Sequence, residues 1–538
     1  IVLFSYIKKL NKLRKARKLR SGMRGYRLLK KHGRLAVVNN IKGSLSKTGI
    51  RGTKIIGEDL LFGVSRCDQS LALRQFLLTR IETSKFNMAL LSSFGSKKKL
   101  IFPIHGSWQN TIKGEGVQVN KLMCSIWWAL VVVLYWYRGV VTIISYIYRH
   151  IDAFFITKKQ KTYSKYAYFS GLLNCNVPTR VDSHDIITWY MSCGVMNSGI
   201  DLVCHNVKSA KSIKIKNTIV RYKKYELPSI SKLIYILYFI LWGAASISVS
   251  ALLLIFGKWK YALLLSEYAK VKVVKLSDPS SIACQYLFNM MNYRHIYRPM
   301  WTYEVEEKGA DVFFYFYSTN IEIFKTKYGY EKQHIWSLIS WSKYLVWDKY
   351  QKDFINRMSS YKKDIQIVGP VWFSSGNAFF QEFPKKSISV FDVSPVRDSC
   401  YQMLCAPNDY YTPSVINLFL EDIRTAFYHK DVTILLKKKR NDGNITHRSY
   451  VRFTNSLVSR EDFVLIDPTV PALDVVEKSK IVISLPFTST AIIAKNAGVS
   501  SVFYDPSKKI QKDDLAAHGV PIISGIKELK TWVNSITI

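Results

Sequence analysis

Apolar positions along the chain fall into three regimes. In the second half they come as short runs, each closed by a polar or turn residue. The runs are "DVFFYFYS" (Asp311 to Ser318), "YLVWD" (Tyr344 to Asp348), "IQIVGPVWF" (Ile365 to Phe373), "ISVFDV" (Ile388 to Val393), "VTILLK" (Val432 to Lys437), "FVLIDP" (Phe463 to Pro468), "IVISLPF" (Ile481 to Phe487) and "SVFYDP" (Ser501 to Pro506). Helical patterning separates most of them. Strands that alternate with helices predict parallel sheets in an α/β protein. An earlier run, "KLIFPIHGSW" (Lys99 to Trp108), predicts a strand that opens a first Rossmann-like domain.

The second regime is two long apolar stretches. Leu122 to Tyr148 holds one charge, Arg138, and Leu233 to Gly257 holds none. Both are long enough to be membrane candidates, and both are rich in Trp and Tyr, which favour the interface. The segment between them, 149–230, is basic and patterned like folded protein, so the positive-inside rule does not orient the pair. In-plane or re-entrant insertion is favoured over two true spans. Two buried core helices are the remaining alternative.

The third regime is the arm 1–57, which has no acidic residue and mixes Lys and Arg with Leu10, Leu13 and Leu19. Attraction of such a stretch to anionic lipid is worth about 1 kcal/mol per basic residue near the surface. A solvated or RNA-binding arm has the same pattern. The expected organisation is an arm 1–57, a first domain 58–370 with apolar insertions at 122–148 and 233–257, and a second domain 371–538.

Charge sharpens this picture. The 538 residues carry a formal net charge of +40, which calls for an acidic partner. A hydrophobic content of 48% speaks against disorder for most of the chain. The eight cysteines include no CxxC pair, which fits a reducing cytoplasm and neither a disulfide framework nor zinc. The chain begins at Ile1, as a fragment or a processed chain would.

Candidate chemistry gathers at strand ends, where parallel sheets bind ligands. "SLPFTSTAIIAKNAGV" places Thr488, Ser489 and Thr490 at the start of a helix that Gly498 stops. A helix N-terminus suits an anion such as phosphate. "VTILLKKKR" delivers Lys437, Lys438, Lys439 and Arg440, which can pair with phosphate. "FVLIDP" delivers Asp467, and "ISVFDVSPVRDS" delivers Asp392, Arg397 and Asp398. Taken singly, each fits a turn, a cap or a solvated face. Four strands delivering polar groups to one edge argue for a site. Upstream, Arg294, His295, Arg298, Tyr303 and Glu304 fit either a general base with its partners or a structural ion pair. His518, after the last strand, fits a ligand contact or a helix cap. There is no GxGxxG, Walker loop or DxD, so no dinucleotide, ATP hydrolysis or metal site is expected.

The stretches "RPMWTYEVEEKGADVFFYFYSTN", "VFDVSPVRDS", "LLKKKR", "SLPFTSTAIIAKNAGV" and "SVFYDPSKKIQKDDLAAHGVPIISGIKEL" resemble the bacterial surface carbohydrate biosynthesis proteins, over roughly Phe102 to Val533. They look like GT-B glycosyltransferases, two Rossmann-like domains around a cleft. The hydroxyl cluster is similar to the Ser/Thr motif of sialyltransferases and Kdo transferases. That resemblance implies that Thr488, Ser489 and Thr490 take the phosphate of a CMP-sugar, with Lys437, Lys439, Arg440, Asp467 and Arg397 around the nucleotide. The strand end at Lys437 to Lys439 falls where those families carry His-Pro, which this chain lacks. Acceptor activation is expected from Glu304 first, His105 second, with Asp392 as a further candidate. No cofactor beyond the nucleotide-sugar is implied. The partners are that donor, a glycan or lipid-linked acceptor and an anionic membrane surface at the cytoplasmic face of a bacterial inner membrane, with no nucleic acid. UDP-, GDP- or TDP-sugar transfer and polyol-phosphate transfer remain open, as does a non-enzymatic scaffold or RNA-binding role.

Overall fold

The computed structural model describes residues 2–48, 58–96, 98–156, 165–208, 210–289, 296–322, 324–376, 382–384, 386–404, 410–443, 445–460 and 462–536. Helices come first: α1 (Val2–Lys31), α2 (Val37–Lys47), α3 (Glu58–Phe62), α4 (Gln69–Ile81), α5 (Ser84–Ser96), α6 (Gly106–Gly114) and α7 (Lys121–Ile156). Residues 2–48 of the basic arm are therefore mostly helix, packed against the body from Ser21 onward. α1 crosses α5 so closely that a Cβ on Gly25 would stand 1.8 Å from Leu91 O, and one on Gly95 would stand 2.4 Å from Ser21 O. In α2, Val38, Ile41 and Leu45 are buried, and the buried Lys42 ammonium pairs with Glu82 at 2.9 Å.

The expected strand at Lys99 to Trp108 does not form. Leu100 makes one isolated bridge to Val119, and Gly106 already begins α6. Pro103 has no N–H for a ladder. His105 caps the helix instead, its Nδ1 accepting from the Ser107 N–H at 3.3 Å.

The first sheet opens only after α7. Its elements are β1 (Tyr166–Ser170), α8 (Ile186–Ser192), β2 (Leu202–His205), β3 (Ile213–Ile215), β4 (Thr218–Tyr222), α9 (Leu233–Ile255), α10 (Lys260–Leu276), β5 (Gln285–Asn289), α11 (Trp301–Glu307), β6 (Asp311–Tyr315), β7 (Lys343–Val346), α12 (Lys349–Met358) and β8 (Asp364–Ile367). The strand order is β3-β4-β2-β1-β5-β6-β7-β8, parallel except for the β3–β4 hairpin. The second sheet has β9 (Ser387–Phe391), α13 (Asp398–Leu404), α14 (Pro413–Phe427), β10 (Thr433–Lys437), α15 (Arg448–Val458), β11 (Phe463–Ile466), α16 (Ala472–Val476), β12 (Ile481–Ser484), α17 (Ser489–Asn496), β13 (Ser500–Asp505), β14 (Ile522–Ser524) and α18 (Gly525–Ser535). Its order is β11-β10-β9-β12-β13-β14, with every pair parallel.

Both sheets wind outward from a central first strand and then reverse, at β1/β5 and at β9/β12. That is the Rossmann-like doubly wound order, and the reversal opens a crevice at the carboxyl ends of the strands. The fold is thus α/β with two Rossmann-like lobes, the N-lobe and the C-lobe. The strands are buried on both faces, as β5 and β9 show along their whole length, because helices cover each side.

Candidate functional site

The segment between β12 and α17 builds the C-lobe crevice. The chain leaves Ser484 through Leu485, Pro486 and Phe487 and enters α17 at Thr488. Phe487 has φ +62, the left-handed region that a bulky residue rarely adopts. Its surroundings impose that conformation. The Tyr411 hydroxyl donates to Pro486 O at 2.8 Å. The rings of Phe324 and Phe503 meet the Phe487 ring edge-on at 4.6 and 5.6 Å. The Asn320 amide, oriented by its partners, donates to Phe487 O at 3.2 Å and accepts from Lys439 Nζ at 2.8 Å. Strain held in this way marks functional loops.

The three hydroxyls do not form one row. Thr488 is buried and donates to Leu485 O at 3.0 Å, so it fixes the turn. Thr490 Oγ1 lies 2.9 Å from Ser484 Oγ and 3.1 Å from Thr488 Oγ1. Ser489 Oγ faces the Asn320 amide across the lobe boundary at 3.3 Å. Among the described residues no side chain caps α17, so its first-turn N–H groups are left for another partner.

The strand-end cations divide. Lys437 is buried and donates to Pro468 O at 3.2 Å. Lys438 is buried between Asp442 at 2.9 Å and Thr454 at 3.1 Å. Lys439 is reached by solvent yet crowded by both lobes. That crowding, followed by the Arg440 charge, pushes its ammonium down to about 8. Arg440 is exposed and within electrostatic reach of Tyr317 in the N-lobe. Asp392, at the end of central β9, is buried with Tyr450, whose hydroxyl donates to it at 2.6 Å. Burial raises its carboxyl to about 6 against the pull of Tyr450 and Lys438, and Oδ1 has no hydrogen-bond partner among the described residues. Asp467 caps its own turn, accepting from Thr469 N at 2.7 Å, and Arg397 is exposed beside α13. The structure therefore brings Lys439, Ser489 and the Phe487 carbonyl together at Asn320, places Lys437, Lys438 and Asp392 beneath them, and leaves Asp467 and Arg397 outside that cluster.

The other two acid–base candidates stand elsewhere. α11 runs through Gly309 into the start of β6, so Glu304 lies toward the amino edge of the N-lobe sheet. Its buried carboxylate accepts from Ser65 N and from Ser65 Oγ at 3.1 Å, with Lys275 at 3.8 Å. Its neighbour Arg298 pairs with Glu306 and covers the Tyr303 ring at 3.9 Å, a structural ion-pair cluster. Arg294 and His295 lie outside the described residues. His105 sits among helices, its ring 4.9 Å from Trp259 and 6.1 Å from Trp128. Burial lowers its pKa.

The N-lobe contributes a hollow of about 930 Å³ at the ends of β1 and β2, lined by Leu172, Leu173, Asn174, Cys175, Asn206 and Lys208. Tyr317 lies within electrostatic reach of both Cys175 in this hollow and Arg440 opposite. Asp185 caps α8 through Ile187 N at 2.8 Å, and burial raises its carboxyl to about 6. An Asp followed by an apolar run with Thr188 three residues on is a capping signal legible in the sequence. Asn320 and Tyr317 carry no such signal; tertiary structure alone reveals them. His518 does not line the hollow; it caps the 3-10 turn Leu515–Ala517, its backbone N–H donating to Leu515 O at 3.0 Å. Its ring joins the two lobes, held between Asp348 and Glu322 of the N-lobe.

A family model described as "Polysaccharide biosynthesis PFTS motif protein" matches residues 247–533, over half the chain. Pro486, Phe487, Thr488 and Ser489 spell that motif at the strained turn. No curated protein sequence matches the chain. Among solved structures, a glycotransferase of kitacinnamycin is 10% identical at a TM-score of 0.34, covering 70% of this chain and 90% of its own. An O-GlcNAc transferase from Thermobaculum terrenum is 9% identical at 0.32, covering 97% and 89%. A UDP-glucosyltransferase from Polygonum tinctorium is 8% identical at 0.30, covering 63% and 80%. These three likenesses are loose, whereas the family match spans nearly all of the C-lobe and the half of the N-lobe sheet from β5 to β8, so the chain belongs to the polysaccharide biosynthesis PFTS motif family.

Proposed function

We propose that the protein is a glycosyltransferase of GT-B type that transfers a sugar from a nucleotide donor to a growing polysaccharide or its lipid-linked precursor. One observation carries this reading. The uncapped N-terminus of α17, the Ser489 hydroxyl and the Lys439 ammonium converge at the C-lobe switch point, facing Asn320 of the other lobe. Backbone N–H groups and a cation at one point suit a phosphate. As the glycosidic bond to the donor phosphate breaks, negative charge grows on the leaving oxygen. Preorganised dipoles and Lys439 would stabilise it there. Arg440 lies beside them for the remaining phosphate charge.

The acceptor would approach from the N-lobe hollow beside Cys175, opposite Arg440. Asp392 and Tyr450 would support the crevice floor from below. A CMP-linked ulosonic acid is the donor favoured by the hydroxyl-rich loop. A UDP-, GDP- or TDP-sugar, or a polyol-phosphate donor, fits the same phosphate site. An anionic membrane surface would bring a lipid-linked acceptor within reach.

Calorimetric titration with CMP, UDP, GDP and TDP tests the reading. Binding of one nucleotide is expected, weakened tenfold or more in Ser489→Ala and Lys439→Ala with unchanged melting temperature. If no nucleotide binds, or if both variants bind as wild type does, the site is misassigned. Tight UDP binding without CMP binding would replace the donor and keep the site.

A further inference from the structure

The helices α7 and α9 present long apolar faces to solvent. Leu130, Leu134, Tyr137, Leu237, Leu241 and Ile255 are all exposed. Only 22% of the most apolar window of α7 and 33% of that of α9 is buried. Sheet topology fixes how such faces meet a membrane. β1 to β4 lie between the two helices in sequence, and β5 lies after α9. Yet β1 pairs with β5 in register, Ala167 opposite Gln285 and Phe169 opposite Leu287. The segment before α7 is joined to the same body, through Gln75 Nε2 to Leu338 O at 2.6 Å and Glu82 to His334 at 3.0 Å. Both ends of each helix therefore stand on one side of any bilayer, and neither helix crosses it once.

The helices are also fastened to the body along their lengths. α7 is held at Tyr135 by Arg80 at 2.8 Å, at Thr142 by Ser266 at 3.0 Å and at Arg149 by Leu227 O at 2.5 Å. A Cβ on Gly139 would stand 2.6 Å from Leu265 Cβ, so the Leu265 side chain of α10 sits directly on the α7 backbone. α9 is held at Trp242 by Leu61 O at 2.9 Å and at Tyr238 by Lys272 at 3.2 Å. The 36 residues of α7 extend about 54 Å, against about 30 Å of hydrocarbon. Arg138 lies exposed at its midpoint, and an arginine at the bilayer centre costs about 3 kcal/mol on insertion scales.

We infer that α7 and α9 form a monotopic anchor that lies along one leaflet of an anionic membrane, with both lobes on the same side. The charge matches that occupant. Exposed Lys121, Arg138 and Lys232 stand at the start of α7, at its midpoint and just before α9, in a chain of net charge +40. Exposed Trp127, Tyr137 and Tyr148 suit the interface. The inference does not rest on the transferase reading.

Two measurements on the full chain test it. Purified protein is sedimented with vesicles of phosphatidylglycerol and phosphatidylethanolamine, or of phosphatidylcholine alone. Tenfold or greater preference for the anionic vesicles is expected, reduced by salt and lost in Leu130→Glu/Leu241→Glu; a wild-type circular dichroism spectrum and a cooperative melting transition report that this variant folds. In membranes of the producing cell, labelling of Cys175 and of a Lys527→Cys reporter by an impermeant maleimide, read by mass spectrometry, is expected from the same side. Labelling from opposite sides would overturn the inference. So would absence of vesicle binding together with a concentration-dependent dimer, because a second copy would then cover the face.

Discussion

His518 of the C-lobe lies with Nδ1 2.8 Å from Asp348 Oδ2 of the N-lobe, while its Nε2 lies 3.0 Å from Glu322 Oε1. The imidazole is fully buried, and both carboxylates belong to loops that follow N-lobe strands. Asp514 adds two bonds across the same seam, from Lys325 N at 2.7 Å and from the Tyr330 hydroxyl at 2.9 Å. The seam adjoins the Asn320 contact, so it sets the distance between Lys439 and its N-lobe neighbours.

This clamp predicts an alkaline loss of stability. Burial alone would lower the pKa of the imidazole; Glu322 and Asp348 reverse that and raise it to about 9. A histidine raised above its unfolded value near 6.5 contributes fully below that pH and loses the contribution as pH climbs through 9. The shift corresponds to at most about 3 kcal/mol. Asp348 is held below its ordinary value against the opposing effect of burial, chiefly by its bond to His518, so its own contribution disappears only in strong acid. Melting temperature followed from pH 6 to 10 should fall in wild type and change much less in His518→Gln. A flat wild-type profile would refute the clamp.

Lys439 and Asn320 should separate binding from folding. Lys439 is solvent-reached and its ammonium meets the Asn320 amide. A charge-assisted hydrogen bond is worth about 1.5–3 kcal/mol, so losing one to a donor phosphate should weaken nucleotide binding by tenfold or more. Asn320→Ala also frees Phe487 O and should lower both affinity and melting temperature. Equal melting losses in Lys439→Ala and Asn320→Ala would place Lys439 in the structural class.

Much of the C-lobe was legible because each strand is a short apolar run closed by a turn residue, and Gly498 stops α17 where expected, at φ +75. The shared winding of the two lobes was not legible, since it lies in which strands pair and not in any repeat of residues. Lys99 to Trp108 has the apolar content of a strand, but Pro103 interrupts the ladder and Gly106 begins α6. The place of the hydroxyl cluster at the start of a helix is legible in the sequence, but the inward turn of Thr488 is not. That turn follows from the backbone at Phe487, and only long-range contacts with Phe324 and Asn320 fix it. Asp348 reads in sequence as an ordinary end of "YLVWD", and its partner His518 lies 170 residues away.

Glu304 offers a direct test of position against residue type. Its carboxylate is buried and serves Ser65 and Lys275 at the amino edge of the N-lobe sheet. Glu304→Gln keeps the shape but removes the charge opposite Lys275 and the second acceptor for Ser65. A loss of about 1–3 kcal/mol in stability is expected, with turnover per folded molecule retained. A fall in kcat of a hundredfold or more at constant melting temperature would restore Glu304 as the acceptor's base.

Phe487 provides the sharpest test of the strained turn. Its ring is buried between Phe324 and Phe503, and its backbone is held at φ +62. Removing the ring costs about 3–5 kcal/mol whichever small residue replaces it. At an ordinary position glycine would then be the worse replacement, since its unfolded chain has more freedom to lose. Here the left-handed backbone penalises alanine and not glycine, by about 1 kcal/mol or more. Phe487→Gly is therefore expected to melt at or above the temperature of Phe487→Ala, the reverse of the usual order. Restoring aromatic volume without relieving the backbone, as in Phe487→Tyr, should exceed both in stability provided the Phe324 contact is kept. If alanine proved clearly more stable than glycine, the turn would not be strained. The α17 N-terminus would then owe its exposure to something other than the Pro486–Ser489 backbone.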